Sequence, residues 1–402
     1  EVPAVVPDKH HLPHPLVRLG FDVPPSGIRR FGQRKRAYVK VQDGCNMPCS
    51  YCIIPQVRPV LKSRRPDEVL QEISRLAANG YREVVLTGIH LGLYGADFGR
   101  RSVRAPQQPA GSAPPDGAPA ANLTALLRRI VAMPGRFRVR LSSLEASEVT
   151  DELLAIIRDN PRRVCQHLHL SMQSGSDAVL RRMRRPWPAG RFVERCLQIR
   201  ESLPCAALTA DVIVGFPGET EEDFAATYRA VEQVGFAKLH VFRFSPRPGT
   251  AAAELPDRVP ESIKHQRAER LIAISQRLRL QFMHSLVGHR LEVLVEESAP
   301  VSGTGKRQVC APATCEVKSD WLSPQHETGG RLFQQPDLSA DPTEAAPKSS
   351  SAPCASGLLL GTASQYVPVE LAGDAAWVGE IVTATACEVH DERLRAVVDS
   401  LR

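Results

Sequence analysis

The sequence predicts an α/β protein: a parallel sheet, open or closed into a partial (β/α)6 barrel, followed by a small β-barrel. The first observation is that six strand patterns alternate with helix patterns between residues 37 and 244. The second is that strand patterns alone follow Gly288, after a long helix over 261–285. The third is that two low-complexity stretches interrupt these patterns and cannot form a core of their own.

These patterns divide the chain into two domains and a leading segment. Residues 1–36 are rich in Pro, His and Arg, and we interpret them as a linker or the remnant of an N-terminal domain. The sheet domain spans 37–285 and the small barrel 286–397. The low-complexity stretches are predicted to be disordered insertions, and they lie at about 100–121 and 312–353. Because the chain does not begin with Met, we expect a fragment or a processed chain.

Each strand is a short apolar or alternating stretch, and each helix repeats apolar residues three or four positions apart. The first helix begins at Pro66, and Asn79-Gly80 ends it. The strands of the sheet are predicted at 37–42, 83–87, 137–142, 167–170, 207–214 and 238–244. The later helices are predicted at 123–132, 148–159, 176–183, 189–202 and 220–234. The barrel strands are predicted at 290–297, 356–371 and 378–390. Reactive groups belong at the carboxyl ends of parallel strands, so the chemistry is expected there.

Composition narrows the class of protein further. The 402 residues carry a net charge of +7, which suits a polyanionic partner without proving one. No apolar run approaches the ~18 residues of a membrane span, and the N-terminus lacks the layout of a signal peptide. Ten cysteines in such a chain do not make a small secreted disulfide scaffold. We therefore expect a reducing compartment, the cytoplasm or an organelle.

Three cysteines follow the first strand directly. Cys45, Cys49 and Cys52 have the spacing CxxxCxxC, so three thiolates in one loop can hold a single metal centre. A structural zinc site needs four ligands, and no second CxxC or HxxxH pair lies nearby. A [4Fe–4S] cluster bound by three cysteines keeps one iron open, and the amino and carboxylate groups of S-adenosylmethionine (SAM) can chelate that iron. A zinc site with a remote fourth ligand is the alternative.

This loop and its surroundings resemble the radical SAM superfamily, and the string GCNMPCSYCIIPQVRP resembles its methylthiotransferase branch. Within that branch, TGIHLGLYG (87–95) is similar to the threonylcarbamoyladenosine tRNA methylthiotransferases. Three later strings also match the branch: HLSMQSGSDAVLRRM (169–183), DVIVGFPGETEEDF (211–224) and FSPRPGTAA (244–252). The tail is similar to the branch's TRAM domain, a small RNA-binding β-barrel. The resemblance covers about 36–311 and 356–397.

One departure from the family concerns its N-terminal domain, in which three further cysteines hold a second [4Fe–4S] cluster. Residues 1–44 contain no cysteine, so ligands for a second cluster are absent from this chain. Cys165, Cys196 and Cys205 lie in or beside core elements and are predicted to be small buried residues. Cys310 and Cys315 flank an insertion and match no family motif.

The resemblance implies that Cys45, Cys49 and Cys52 bind the SAM-cleaving cluster, with no other catalytic residue. It implies SAM contacts from residues at the strand ends: Tyr51, Thr87, Gly88, Ser143, Glu145, Gln173, Gly215 and Arg247. The residues themselves leave other roles open. Tyr51 could pack beneath the loop, and Glu145 could cap the next helix.

Two basic stretches are candidates for RNA binding. The first is a run of arginines before Pro186, and the second is the basic face of the helix over 261–285, which could equally be a solvated surface. The candidate residues are Arg181, Arg182, Arg184, Arg185, Arg270 and Arg277. The tail, with few aromatic residues, is expected to bind RNA through backbone and shape.

By resemblance, the protein adds a methylthio group to C2 of N6-threonylcarbamoyladenosine next to the tRNA anticodon, with a second SAM as the methyl source. The target base must be splayed from its loop. Expected partners are tRNA and an electron donor such as a flavodoxin- or ferredoxin-type protein, with no membrane, and we expect a monomer. Three alternatives stay open: a radical SAM enzyme that methylates or only abstracts hydrogen, a methylthiotransferase for another substrate, and a non-catalytic RNA-binding protein.

Overall fold

The computed structural model of the protein describes residues 31–98, 122–299 and 357–401. Both predicted insertions, together with Cys310 and Cys315, lie outside the described residues. None of the helices in this part of the chain combines the length and the apolar character needed to cross a bilayer.

The first domain is a parallel sheet with helices on its outer face. Its strands are β1 (Arg36–Asp43), β2 (Lys62–Ser63), β3 (Glu83–Gly88), β4 (Arg138–Leu141), β5 (His167–Gln173), β6 (Ala207–Val214) and β7 (Lys238–Arg243). Its helices are α1 (Ile54–Val57), α2 (Pro66–Ala78), α3 (Leu123–Val131), α4 (Asp151–Asp159), α5 (Asp177–Arg182), α6 (Ala189–Ser202), α7 (Glu221–Val234) and α8 (Glu261–Ser285). The predicted α/β architecture is therefore confirmed.

The sheet runs in the order β2-β1-β3-β4 and continues into β5-β6-β7. Parallel bridges join the two parts, at Val139 with Val164 and at Leu144 with Leu170. Only β2 is antiparallel to its neighbour. Six parallel strands in chain order with helical crossovers form an open, partial barrel, so the carboxyl ends of all six strands meet at one edge.

The core lies between the sheet and its helices. Apolar residues alternate along each strand, as Leu168 and Leu170 do on β5, and these pack against the helices. The periodicity of α8 is also confirmed, since Leu271, Ile274 and Leu278 are buried. Cys165 and Cys196 are buried as predicted, whereas Cys205 is half-buried.

The second domain is a closed five-stranded barrel of β8 (Arg290–Ala299), β9 (Gly357–Ala363), β10 (Pro368–Gly373), β11 (Ile381–His390) and β12 (Arg393–Leu401). The prediction of a single strand over 356–371 is wrong. A turn separates β9 from β10, in which Tyr366 adopts φ +61° and its amide donates to the Ala363 carbonyl. The turn contains the polar residues Ser364 and Gln365 and is followed by Pro368, a local signal that the predicted single strand did not take into account. β12 is an additional strand that sequence reasoning did not predict.

A buried carboxylate joins the amino end of the sheet to this barrel. Glu83 is fully buried and forms ion pairs with Arg36, Arg138 and Arg140 at 2.6–2.8 Å. Arg138 also donates to the Glu292 carbonyl at 2.7 Å, and Arg140 donates to that of Ser364 at 3.1 Å. Burial alone would raise the pKa of Glu83, but the three guanidinium groups hold it well below its usual range.

Candidate active site at the carboxyl end of the sheet

The cysteine loop follows β1 and is fixed at its start by glycine and glutamine. Gly44 has φ +78°, and a Cβ atom there would lie 1.9 Å from the Val60 carbonyl oxygen, so only glycine fits. The Gln42 side chain, 1% exposed, donates to the Gly44 carbonyl at 2.7 Å and accepts from the His90 amide at 2.9 Å. Gln42 thereby ties the cysteine loop to the turn after β3.

The middle of the loop is held from the opposite side of the barrel. The Ser50 amide donates to the Met183 carbonyl at 3.0 Å, and its hydroxyl donates to the Arg182 carbonyl at 2.7 Å. The Ser50 carbonyl accepts from the Ala252 amide at 2.8 Å. Because α5 and the segment after β7 both bind Ser50, the loop spans the open end of the sheet.

The three thiols are free and influence one another electrostatically. Burial raises the pKa of Cys52, and charge on Cys49 and Cys45 raises it further. Cys45 Sγ lies 3.7 Å from His90 Nδ1, and Cys49 Sγ lies 3.8 Å from Arg185 Nη1. Two cationic side chains therefore border the sulfurs.

His90 connects Cys45 to a carboxylate that sequence reasoning missed. Its Nε2 lies 2.6 Å from Glu148 Oε1, on the side of the ring opposite Cys45. Burial alone would lower the pKa of His90, but its hydrogen bonds with Cys45 and Glu148 outweigh burial and raise it to about 10. Conversely, burial would raise the pKa of Cys45, and the hydrogen bonds from His90 and the Met47 amide lower it. The protonated imidazole thus favours a thiolate at Cys45.

Arg185 and Glu145 form a second buried ion pair beside the loop. Arg185 also donates to the Ser171 carbonyl at 3.1 Å, and its side chain is only 6% exposed. The structure therefore corrects its assignment to an RNA-facing surface, because this guanidinium faces Cys49 inside the site. Glu145 caps a short 3-10 helix (Ala146–Glu148), as one sequence alternative held, and burial raises its pKa despite the arginine.

A cavity of about 600 Å³ adjoins this ion pair, between the loop after β4, the end of β5 and helix α6. Its walls include Glu145, Ser171 and Arg185, together with the partly exposed Trp187. A cavity of this size has room for a small molecule, and Arg185, which lines it, also contacts Cys49.

The donor set fits a [4Fe–4S] cluster. No three His, Cys, Asp or Glu side chains within residues 31–98, 122–299 and 357–401 are grouped to hold one metal ion. A cluster has a different ligand requirement, because each thiolate binds its own iron and the three sulfurs do not share one ion. Three free thiols on one loop, with His90 and Arg185 beside two of them to offset thiolate charge, meet that demand.

Residues 39–231 match the family model of the radical SAM superfamily. The chain contains a radical SAM domain. This domain implies a [4Fe–4S] cluster and SAM. Cys45, Cys49 and Cys52 remain the predicted ligands of that cluster.

Several proteins that are similar to this chain are named as tRNA-modifying enzymes. The chain is 42% identical to the threonylcarbamoyladenosine tRNA methylthiotransferase MtaB of Bacillus subtilis over 67% of its own length and 56% of that protein. It is 39% identical to MtaB of Thermotoga maritima over 66% and 56%. It is also 39% identical to tRNA-2-methylthio-N(6)-dimethylallyladenosine synthase 1 of Mycobacterium marinum over 67% and 49%. The chain thus spans about half the length of the curated relatives it matches.

The predicted SAM contacts fall into two groups in the radical SAM domain. Tyr51 packs beneath the loop against an apolar cluster that includes Phe216. Thr87 is half-buried at the end of β3, Ser143 is exposed after β4, and Arg247 is exposed after β7. Arg247 lies near enough to Cys52 to counteract the rise in its pKa. The contact of these side chains with SAM stays a prediction.

The other predicted contacts have structural roles of their own. A Cβ atom on Gly88 would lie 3.0 Å from Gln42 Oε1, and one on Gly215 would lie 2.2 Å from Lys264 Cγ. Both glycines are therefore required by neighbouring side chains, independently of any ligand. Gln173 ends β5 with φ +65°, a strained conformation for a residue with a side chain.

The remaining candidate arginines differ in whether they bind other residues of the protein or face solvent. Arg182 donates to the Gly218 carbonyl at 2.8 Å, Arg270 pairs with Glu221 at 2.6 Å and Arg277 pairs with Glu232 at 2.6 Å. Arg181 and Arg184 are exposed next to the site. These two are the arginines of the run that remain directed to solvent.

Proposed function

We propose that this chain carries the catalytic part of a tRNA methylthiotransferase that modifies C2 of N6-threonylcarbamoyladenosine next to the anticodon. The observation that carries this proposal is the meeting of three free thiols with His90 and Arg185 at the carboxyl end of the sheet. The identity of 42% with a threonylcarbamoyladenosine tRNA methylthiotransferase supports the reaction class and the substrate.

The cysteine thiolates would hold three irons of the cluster and leave the fourth for SAM. When bound, the cluster supplies the electron that cleaves SAM. Arg185 and Glu145 line the cavity, and Arg185 contacts Cys49, so a cation and a carboxylate are available for the carboxylate and amino groups of SAM. The raised pKa of Glu145 shows that its ionised form is costly there, and a ligand ammonium would relieve that cost.

His90 would act as a positioning residue for the cluster loop. Its imidazole bridges Cys45 and Glu148, and its amide binds Gln42, so one residue connects β1, β3 and the segment after β4. This bridge fixes the orientation of the Cys45 sulfur before any cluster is present.

The tRNA would approach the same end of the sheet. Arg181 and Arg184 are exposed there and would bind backbone phosphates, while the five-stranded barrel offers a second surface for RNA. We also propose a flavodoxin- or ferredoxin-type electron donor and a monomeric protein. Arg270 and Arg277 would add weaker RNA contacts, because each is engaged with a glutamate.

Anaerobic reconstitution with iron and sulfide, followed by a SAM cleavage assay, tests the chemistry. We expect one [4Fe–4S] cluster at the cysteine loop and formation of methionine from SAM by the wild-type chain. Cys49→Ala should lose both, whereas the half-buried Cys205, which lies before β6 at the opposite end of the sheet, provides the matched control Cys205→Ala. A chain that binds zinc instead and leaves SAM intact would refute the proposal.

The substrate is tested separately, because dimethylallyladenosine synthases are nearly as similar to this chain. Mass spectrometry of nucleosides should reveal a methylthio group on tRNA that contains threonylcarbamoyladenosine, and none on tRNA that contains dimethylallyladenosine. Modification of the dimethylallyl tRNA alone would favour the second substrate. A methylated product without sulfur would favour a radical SAM methyltransferase.

A further inference from the structure

Trp187 is a large aromatic residue that is exposed beside the candidate active site. It is 40% exposed and lines the same cavity of about 600 Å³ as Glu145 and Arg185. It lies two residues after Arg185, whose guanidinium is 3.8 Å from Cys49 Sγ, so it belongs to the segment that borders the cysteine loop. The indole is therefore available to a ligand that approaches this end of the sheet.

The backbone on both sides of this indole is restrained. Pro186 precedes Trp187 and Pro188 follows it, so two pyrrolidine rings fix φ next to the tryptophan, and Pro188 also disfavours a helical conformation at Trp187 itself. Directly after Pro188, the Ala189 amide donates to Asp177 Oδ1 at 2.7 Å. Because this segment is already ordered, a ligand that packs on the indole pays little for immobilising it.

The surface around Trp187 is basic. Arg181, Arg184 and Arg191 are exposed and lie within six residues of it along the chain, and Arg191 lines the same cavity. In the parts of the chain that the structure describes, none of these three arginines forms an ion pair. Glu194, which also lines the cavity and is exposed, supplies one negative charge against them. The local balance therefore favours an anionic ligand.

We infer that Trp187 stacks on an unpaired base beside the target adenosine in the anticodon loop, with the three exposed arginines on neighbouring phosphates. The inference rests on the proposed function, which brings that loop to the cysteine end of the sheet. An aromatic ring among basic side chains is typical of surfaces that bind single-stranded nucleic acid, because every base has a π face. The unpaired arginines favour RNA over a protein partner, since each phosphate supplies a counter-charge.

Binding of anticodon stem-loop RNAs to the reconstituted chain tests this inference. One RNA carries threonylcarbamoyladenosine in an intact loop, and two others lack the base on its 5′ or its 3′ side. Fluorescence anisotropy of the labelled RNAs measures each Kd. Trp187→Ala should weaken binding of the intact RNA roughly tenfold, because one stacking contact is lost. The same variant should bind the RNA that already lacks the stacked base as tightly as the wild-type chain does.

Trp187→Phe keeps an aromatic ring and should recover most of the lost affinity. It also provides a spectroscopic test, because the chain has three tryptophans and stacking on a base should quench the emission of Trp187. The quenching should disappear in Trp187→Phe and persist in Trp377→Phe, in which the replaced tryptophan is partly buried in the five-stranded barrel. Ile272→Ala, at an exposed apolar residue of α8, is the control for affinity and should bind all three RNAs normally. Thermal unfolding verifies that each variant is folded.

Arg191→Gln separates the contribution of charge from that of stacking. It should weaken the binding of all three RNAs equally, because a phosphate contact does not depend on which base is present. The dependence of log Kd on log salt concentration should become shallower by about 0.7, as for one phosphate contact on a single strand. Trp187→Ala should leave this slope unchanged, because a stacking contact releases no counterion.

Two outcomes would overturn the inference. Equal weakening of all three RNAs by Trp187→Ala would mean that no base beside the target stacks on the indole. Unchanged RNA binding together with weaker SAM binding would make Trp187 part of the SAM site alone. SAM cleavage by the wild-type chain separates these failures from that of the proposed function. A chain that cleaves SAM but gives either outcome refutes the inference alone, and one that binds the loop through Trp187 without cleaving SAM refutes only the proposed function.

Discussion

The two ends of the parallel sheet both contain buried glutamates paired with arginine, yet the two carboxyl groups behave in opposite ways. At the amino end, Glu83 meets three guanidinium groups and its pKa falls. At the carboxyl end, Glu145 meets Arg185 alone, and burial raises its pKa. The number of cations therefore decides whether a buried carboxylate is stably charged or kept near protonation.

The difference extends to what surrounds each pair. Arg138 and Arg140 also donate to backbone carbonyls of the five-stranded barrel, and Arg36 donates to the Glu296 carboxylate there. Arg185 instead faces a free thiol and a cavity. The amino end thus connects two domains, whereas the carboxyl end keeps its polar groups available for a ligand.

The largest effect on stability should come from Glu83→Gln. The substitution leaves Arg138 and Arg140 buried without the carboxylate that pairs with them, while Arg36 keeps its ion pair with Glu296, and we expect the free energy of unfolding to fall by about 3–5 kcal/mol. Urea unfolding followed by circular dichroism measures this loss. Glu380→Gln, at a half-buried pair with Arg82, is the control and should cost about 1 kcal/mol or less. Similar losses in both variants would contradict a special role for Glu83.

A smaller effect is expected from Gly44→Ala in the cysteine loop. The new methyl group would collide with the Val60 carbonyl, and the positive φ adds strain, so we expect a cost of about 3 kcal/mol and poor cluster retention. Gly32→Ala shares the positive φ but has open space around it, and should cost about 1 kcal/mol. Iron content after reconstitution and urea unfolding provide the readouts. Full cluster retention in Gly44→Ala would contradict this account of the loop.

Glu145→Gln should change stability less than either. Burial already disfavours the ionised carboxylate, and Arg185 would retain its contacts with the Ser171 carbonyl and Cys49. We therefore expect the free energy of unfolding to change by no more than about 1 kcal/mol at neutral pH. SAM binding should nevertheless weaken, which equilibrium dialysis of the reconstituted protein would measure. A stability loss as large as that of Glu83→Gln would remove the distinction between the two ends.

Acidification should change the contributions of the two glutamates to stability in opposite directions. The folded-state pKa of Glu83 lies below its ordinary value of 4.5, so its stabilisation is present above that value and is lost as the pH falls below it. The stability difference between wild type and Glu83→Gln should shrink by about 0.8 kcal/mol between about pH 6 and about pH 4. The folded-state pKa of Glu145 is raised, so its contribution is largest at low pH and is lost as the pH rises. Urea unfolding across this range would show parallel trends if the assignment were wrong.

Local patterns in the sequence predicted much of this architecture. Strand and helix periods located the six parallel strands and α8, because burial on one face repeats every two or three to four residues. The turn at Tyr366, with φ +61°, was not predicted, although the polar residues Ser364 and Gln365 and the following Pro368 are local signals of a turn. Gly215 was predicted to face a ligand, yet the side chain that requires a glycine there is Lys264, on a helix far along the chain.

By itself, the sequence determined the fold class, the cysteine loop and its place after the first strand, because these depend on residues close together along the chain. Only the tertiary structure decided which side chains border the sulfurs. His90 reaches Cys45 across 45 residues, and Arg185 reaches Cys49 across 136. Such pairs form when separate strands bring their carboxyl ends to one edge of the sheet. The local periodicity of the sequence does not predict which residues come together there.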